Sequence, residues 1–165
     1  MNRVLSLTGR RLLATAGALA MAVAGMVTLS ASPASAHSQA EAIAAACGSG
    51  YGIVSDGTRA VTTPSGTVYG YVHLAYNSSN GNNCVVTRKT SYHGTPTRTR
   101  AQIGVQQANG SIVTYDDAGD FSHYANVIRF ASGRCVTYFG WIWSTPTGGN
   151  GTLASGGRTT LGNCG

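Results

Sequence analysis

The sequence predicts an all-β fold: a small sandwich or barrel of about seven to nine short antiparallel strands, stapled by disulfides, with one short helix at its start. Three observations carry this. Short runs of alternating apolar and polar residues are broken by Gly, Asn, Asp and Ser turns. Helix formers are scarce, Glu41 and Lys89 being the sole Glu and Lys. Four cysteines follow what reads as an export leader.

The leader occupies residues 1–36. Arg3, Arg10 and Arg11 give a positive start, Leu12 to Leu29 is uncharged and apolar, and Ala34-Ser35-Ala36 offers small residues to a signal peptidase. Arg10-Arg11 fits a twin-arginine signal loosely, so ordinary Sec export is the simpler expectation. The expected product is one secreted domain, residues 37–165, with no membrane attachment after cleavage. Of 11 basic residues the leader removes three, so a formal charge of +6 falls to about +3. That is too modest for a nucleic-acid partner.

Cys47, Cys84, Cys135 and Cys164 have no zinc-like spacing and are expected to form two disulfides. Count alone leaves the pairing open; joining sequence neighbours, Cys47 to Cys84 and Cys135 to Cys164, is the favoured solution. Each loop would then add about 3–4 kcal/mol in the chain-entropy description.

Ser38 to Ala46 predicts the helix, with Ser38 and Glu41 as a capping box and Gly48 as its stop. Tyr51 to Val54 and Arg59 to Thr62 read as strands around an Asp56-Gly57 turn. Gly66 to Tyr76, Cys84 to Lys89, Thr97 to Gln106 and Ser111 to Tyr115 follow, with Asn109-Gly110 as a hairpin turn. Asp116 to Asp120 reads as a loop. Tyr124 to Phe130 and Cys135 to Trp143, joined at Ser132-Gly133, read as a final apolar hairpin whose second strand opens at a cysteine, as the earlier one opens at Cys84. The echo is either a repeat or the common look of disulfide-bearing hairpins. Thr145 to Gly157 reads as a flexible Gly-rich stretch before a short strand near Arg158 to Leu161.

Three stretches carry a family resemblance: Cys47-Gly-Ser-Gly-Tyr-Gly, Tyr76-Asn-Ser-Ser-Asn-Gly-Asn-Asn-Cys84-Val-Val-Thr, and Tyr124-Ala125 through Gly133-Arg134-Cys135-Val136. On these the chain resembles the actinobacterial spore-associated protein A family of small secreted proteins, from about Cys47 to Cys164. Asn126-Val127 departs from the family's usual Gly-Pro. The resemblance implies export by a filamentous bacterium and association with spores or the aerial surface. It brings no reaction, so no catalytic residues carry over.

The residues themselves nominate no catalytic centre, cofactor or metal site. Carboxylates are limited to Glu41, Asp56, Asp116, Asp117 and Asp120, too few and too clustered for an acid/base pair. Calcium in the Asp116–Asp120 segment would lack a full ligand loop. No two of His37, His73, His93 and His123 stand at metal-ligand spacing, and His73 is expected on a solvent face. Cleavage after Ala36 would nevertheless leave His37 as an amino-terminal histidine able to chelate copper, if His73, His93 or His123 closed the site. Copper-dependent polysaccharide oxygenases use such a brace but are larger and share no other motif with this chain. The candidate ligand-binding surface is Tyr138, Trp141 and Trp143, suited to stacking on cell-wall or spore-surface polymer. The competing and favoured reading places the Trp pair in the core. Arg88, Lys89, Arg98 and Arg100 offer a basic stripe or simply a soluble strand face.

Overall fold

Ser38 caps the first element as its spacing to Glu41 requires. Its Oγ accepts from the Glu41 amide at 3.3 Å, and the Glu41 carboxylate accepts from the Ser38 amide at 2.7 Å. Helix α1 (Gln39–Cys47) ends at Gly48, whose φ of 90° is a glycine conformation. The structure is a computed structural model that describes residues 35–165. The leader expected over 1–36 lies, apart from Ser35 and Ala36, outside the described residues.

Eight strands follow: β1 (Gly52–Thr62), β2 (Val68–Asn77), β3 (Asn82–Lys89), β4 (Thr97–Gln106), β5 (Ile112–Phe121), β6 (Tyr124–Phe130), β7 (Val136–Trp143) and β8 (Leu153–Gly162). They form one antiparallel sheet in the order β5-β4-β7-β8-β1-β2-β3-β6. Its terminal strands, β5 and β6, face each other, so the sheet is a nearly closed barrel.

Inside lie Val61, Val72, Leu74, Val85, Ile103, Val136, Tyr138 and Ile142, all buried. Opposite walls approach closely at Gly140, where a Cβ would collide with the Thr87 hydroxyl and lie 3.0 Å from the Val72 Cβ. A second cluster lies on the barrel's outside: Ala42 and Ile43 of α1 cover Ala75, Cys84 and Val86. The Cys47–Cys84 disulfide fixes α1 there, and Cys135–Cys164 ties the start of β7 to the end of the chain, as the neighbour pairing expected.

Four local expectations need correction. The Asp56-Gly57 segment is a bulge inside one strand, β1, because its register with β2 jumps between Ile53 and Thr58. Asp116 to Asp120 is strand, not loop: β4 has ten consecutive partners on β5, down to Thr97 opposite Phe121. β6 and β7 do not pair. The sequence echo is therefore no structural repeat; β6 joins β3, and β7 inserts between β4 and β8. The inward set of β7 explains this choice, since Val136, Tyr138 and Gly140 stand opposite Val105, Ile103 and Ala101 across the free edge of β4. Finally, the Gly-rich stretch contains a 3-10 turn (Pro146–Gly148), and β8 begins at Leu153, passing so close to β1 that a Cβ on Gly156 would strike the Ala60 carbonyl oxygen.

Candidate functional site

Strict alternation along β7 divides its aromatics between two environments. Tyr138 points inward at 1% exposure, and its hydroxyl donates to the Asp56 carbonyl oxygen at 2.6 Å. A side chain so buried presents no stacking face, so Tyr138 leaves the proposed surface. Phe139, Trp141 and Trp143 point outward and are half-buried. The core position favoured for the Trp pair is thus overturned: the interior side of this strand is already filled by Val136, Tyr138 and Ile142.

The outward row has low neighbours on one side. Phe139 stands opposite Gly157, Trp141 opposite Ser155 and Trp143 opposite Leu153 on β8. On β4, Gln102 and Arg100 flank Phe139 and Trp141. The Arg100 guanidinium forms an ion pair with the Asp116 carboxylate at 3.1 Å. The pyrrole ring of Trp143 is covered by the Pro146–Gly148 turn, where a Cβ on Gly148 would lie 3.2 Å from its Nε1 and Cε2. The result is an aromatic strip bordered by polar side chains on β4 and by Gly157, Ser155 and Leu153 on β8.

Of the two readings of Arg88, Lys89, Arg98 and Arg100, a basic stripe loses its Lys89 member. Lys89 is fully buried at one end of the barrel, donating to the Thr95 carbonyl at 2.6 Å, the Thr97 hydroxyl at 2.7 Å and the Phe121 carbonyl at 2.9 Å. Three acceptors satisfy the whole ammonium, while burial still lowers its pKa to about 8. Arg88 donates to the His37 carbonyl at 2.7 Å.

His73 is also a correction. It shares the outer face with Tyr71 and Ala75, opposite the inward Val72 and Leu74, yet is only 1% exposed, because the Tyr71 ring stacks beside it at 6.3 Å and its Nδ1 meets the Thr58 hydroxyl at 3.1 Å. Burial, aided by the Arg88 charge, pushes its pKa down to about 4.

The other three histidines, separated in sequence, meet. His37 precedes α1, His93 lies in the β3–β4 connection, and His123 lies in the β5–β6 turn. The Nε2 of His93 is 2.9 Å from His37 Nδ1 and 3.1 Å from His123 Nδ1. All three rings are half-buried, and burial together with the two neighbouring imidazoles lowers the pKa of His93. Backbone bonds hold the loops in register: the Lys89 amide donates to His123 O at 2.9 Å, and the Gly94 amide to Ser122 O at 2.8 Å. Spacing alone marks no such group, whereas the reading of His37 as an amino-terminal ligand named His73, His93 and His123 as partners, and His93 and His123 are the ones beside it. The signal available was indirect: a Cys47–Cys84 link brings α1 to β3, and pairing of β3 with β6 sets Arg88 opposite Tyr124, beside His123.

The carboxylates do not converge on a site. Asp116 and Asp120 share one face of β5 and Asp117 takes the other, so no calcium loop exists there. Asp120 accepts from the Thr147 amide at 3.0 Å, and Asp56 is held by Arg59 and Arg158.

Fold and cross-links define a class: a small disulfide-stapled β barrel of the kind suited to oxidising surroundings. The chain is 37% identical over 97 residues to spore-associated protein A of Streptomyces coelicolor, covering 58% of this chain and 56% of that protein. This similarity agrees with the resemblance drawn from the quoted motifs. The chain thus spans about half the length of the curated relative it matches. No family model matches the chain, and no solved structure does.

Proposed function

We propose that this protein is a noncatalytic extracellular protein that attaches to the spore or hyphal surface by stacking wall polysaccharide on the outer face of β7. The observation that carries this reading is the outward row Phe139, Trp141 and Trp143, bordered by Ser155 and Gly157 of β8 and by polar side chains of β4. The name of the Streptomyces relative supports the location. Two disulfides fit an oxidising exterior, and among the described residues no helix is long and apolar enough to cross a membrane. The absence of converging carboxylates among the described residues agrees with a binding role.

Sedimentation of the oxidised protein with spore walls, peptidoglycan, chitin and cellulose tests the reading. Retention on spore walls is expected, reduced about tenfold by joint Trp141→Ala and Trp143→Ala substitution, since each stacked aromatic adds about 0.5–1.5 kcal/mol. Retention indifferent to both substitutions, or stoichiometric inhibition of a soluble protease, overturns it.

A further inference from the structure

The three histidines at the barrel end hold more nitrogen lone pairs than their own hydrogen bonds can use. A neutral imidazole has one N–H donor and one in-plane acceptor. Here His93 Nε2 faces two ring nitrogens at once, at 2.9 and 3.1 Å, and one ring position can satisfy only one of them as a linear hydrogen bond. The other nitrogen of His93, Nδ1, is buried without a partner. The rings stand with centroids 4.5 to 5.0 Å apart, tilted or edge-on, which turns ring edges inward in place of stacking the faces. The backbone nitrogen of His37 lies 3.4 Å from the same His93 Nε2. His37 therefore aims two nitrogens, one from its backbone and one from its ring, at a single place.

We infer that His37, His93 and His123 form a binding site for one late first-row divalent transition ion, copper(II) above zinc(II). One ring nitrogen from each lies within 4.8 Å of the other two, and the short contacts make His37 Nδ1, His93 Nε2 and His123 Nδ1 the ligand atoms. Two nitrogens about 2.0 Å from one ion and at right angles stand about 2.8 Å apart, close to the two short separations observed. The donor set is all nitrogen, because no carboxylate belongs to the cluster and, among the described residues, every cysteine is in a disulfide. Such donors favour copper(II) most strongly in the divalent series. When the leader is cleaved after Ala36, the His37 nitrogen becomes a free amine and a fourth ligand, so maturation completes the site. An amide nitrogen in the uncleaved chain binds far more weakly. The Arg88 bond to the His37 carbonyl and the bonds of Lys89 to the two loops position the ligands without touching the ion.

The test is copper(II) titration of the exported protein beginning at His37, followed by calorimetry and electron paramagnetic resonance. One ion per chain with nitrogen hyperfine structure is expected. His93→Ala and His123→Ala should each weaken binding by about 100-fold or more, and one glycine added ahead of His37 by about tenfold or more. These loop substitutions should leave the metal-free melting temperature within a few degrees, while copper raises it only in the unsubstituted protein. Equal affinity of the His93→Ala/His123→Ala double variant and the unsubstituted protein overturns the site. Equal affinity with and without the added glycine overturns the role of the amine. Wall attachment through Trp141 and Trp143 is independent of this site, and their loss should leave copper binding unchanged.

Discussion

The outer face of β7 and the histidine-bearing end of the barrel both gather chemically useful side chains, but they are assembled by opposite means. On β7 a single strand sets the positions of Phe139, Trp141 and Trp143, because every second residue faces out. At the barrel end, three separate segments bring one imidazole each, held by a disulfide, a buried lysine and loop backbone bonds. A surface built on one strand survives as long as the sheet does. A cluster built across connections depends on each tether separately, and perturbing one tether should scatter it while the aromatic row stays in place.

Removing the Cys47–Cys84 disulfide by paired alanines is the severest way to probe that contrast. It should cost about 3–4 kcal/mol in a denaturant melt and loosen His37, while the folded-state tryptophan emission stays unchanged. Paired alanines at Cys135 and Cys164 should cost a similar amount and spare the histidines, since that bridge anchors β7 and the chain's end. Lys89→Met comes next. It leaves the Thr95 and Phe121 carbonyls and the Thr97 hydroxyl without their buried donor, an expected loss of about 2–3 kcal/mol in thermal melts.

His73 gives the barrel wall its own acid response. Its folded pKa is depressed to about 4 from 6.5, so the unfolded chain takes up the proton first. Stability is intact above pH 6.5 and falls as the pH drops toward 4, by up to about 3 kcal/mol, then levels off. His73→Gln should flatten that part of the pH–stability curve, read by urea midpoints. The smallest effect is expected at Trp143→Ala, about 1 kcal/mol, because the indole is half-buried beneath the Gly148 turn.

The same contrast explains what could be read from the chain alone. Alternation and turn residues were enough for β2, β3, β4, β6 and β7, and the Ser38–Glu41 spacing for the capping box of α1, while the cysteine count gave two disulfides and left their pairing open. They were also enough to place Trp141 and Trp143 on a shared face. They were not enough to say whether that face looked in or out, since tryptophan suits both, and only the inward packing of Tyr138 and Ile142 decides it. The Asp116–Asp120 segment looked like a loop because Asp and Gly favour turns, yet an extended partner strand overrode that local preference. The pairing of β7 with β4 and β8, and the meeting of His37 with His93, 56 positions away, are long-range facts that no local pattern encodes.

Both tryptophans of the chain stand on the outer face of β7, so their fluorescence reports that face and nothing else. Titrating the folded protein with solubilised spore-wall polysaccharide should give a saturable blue shift and protect the indoles from a soluble quencher. Emission and quenching that stay constant across the titration, while the protein still sediments with intact spore walls, would contradict attachment through this strand.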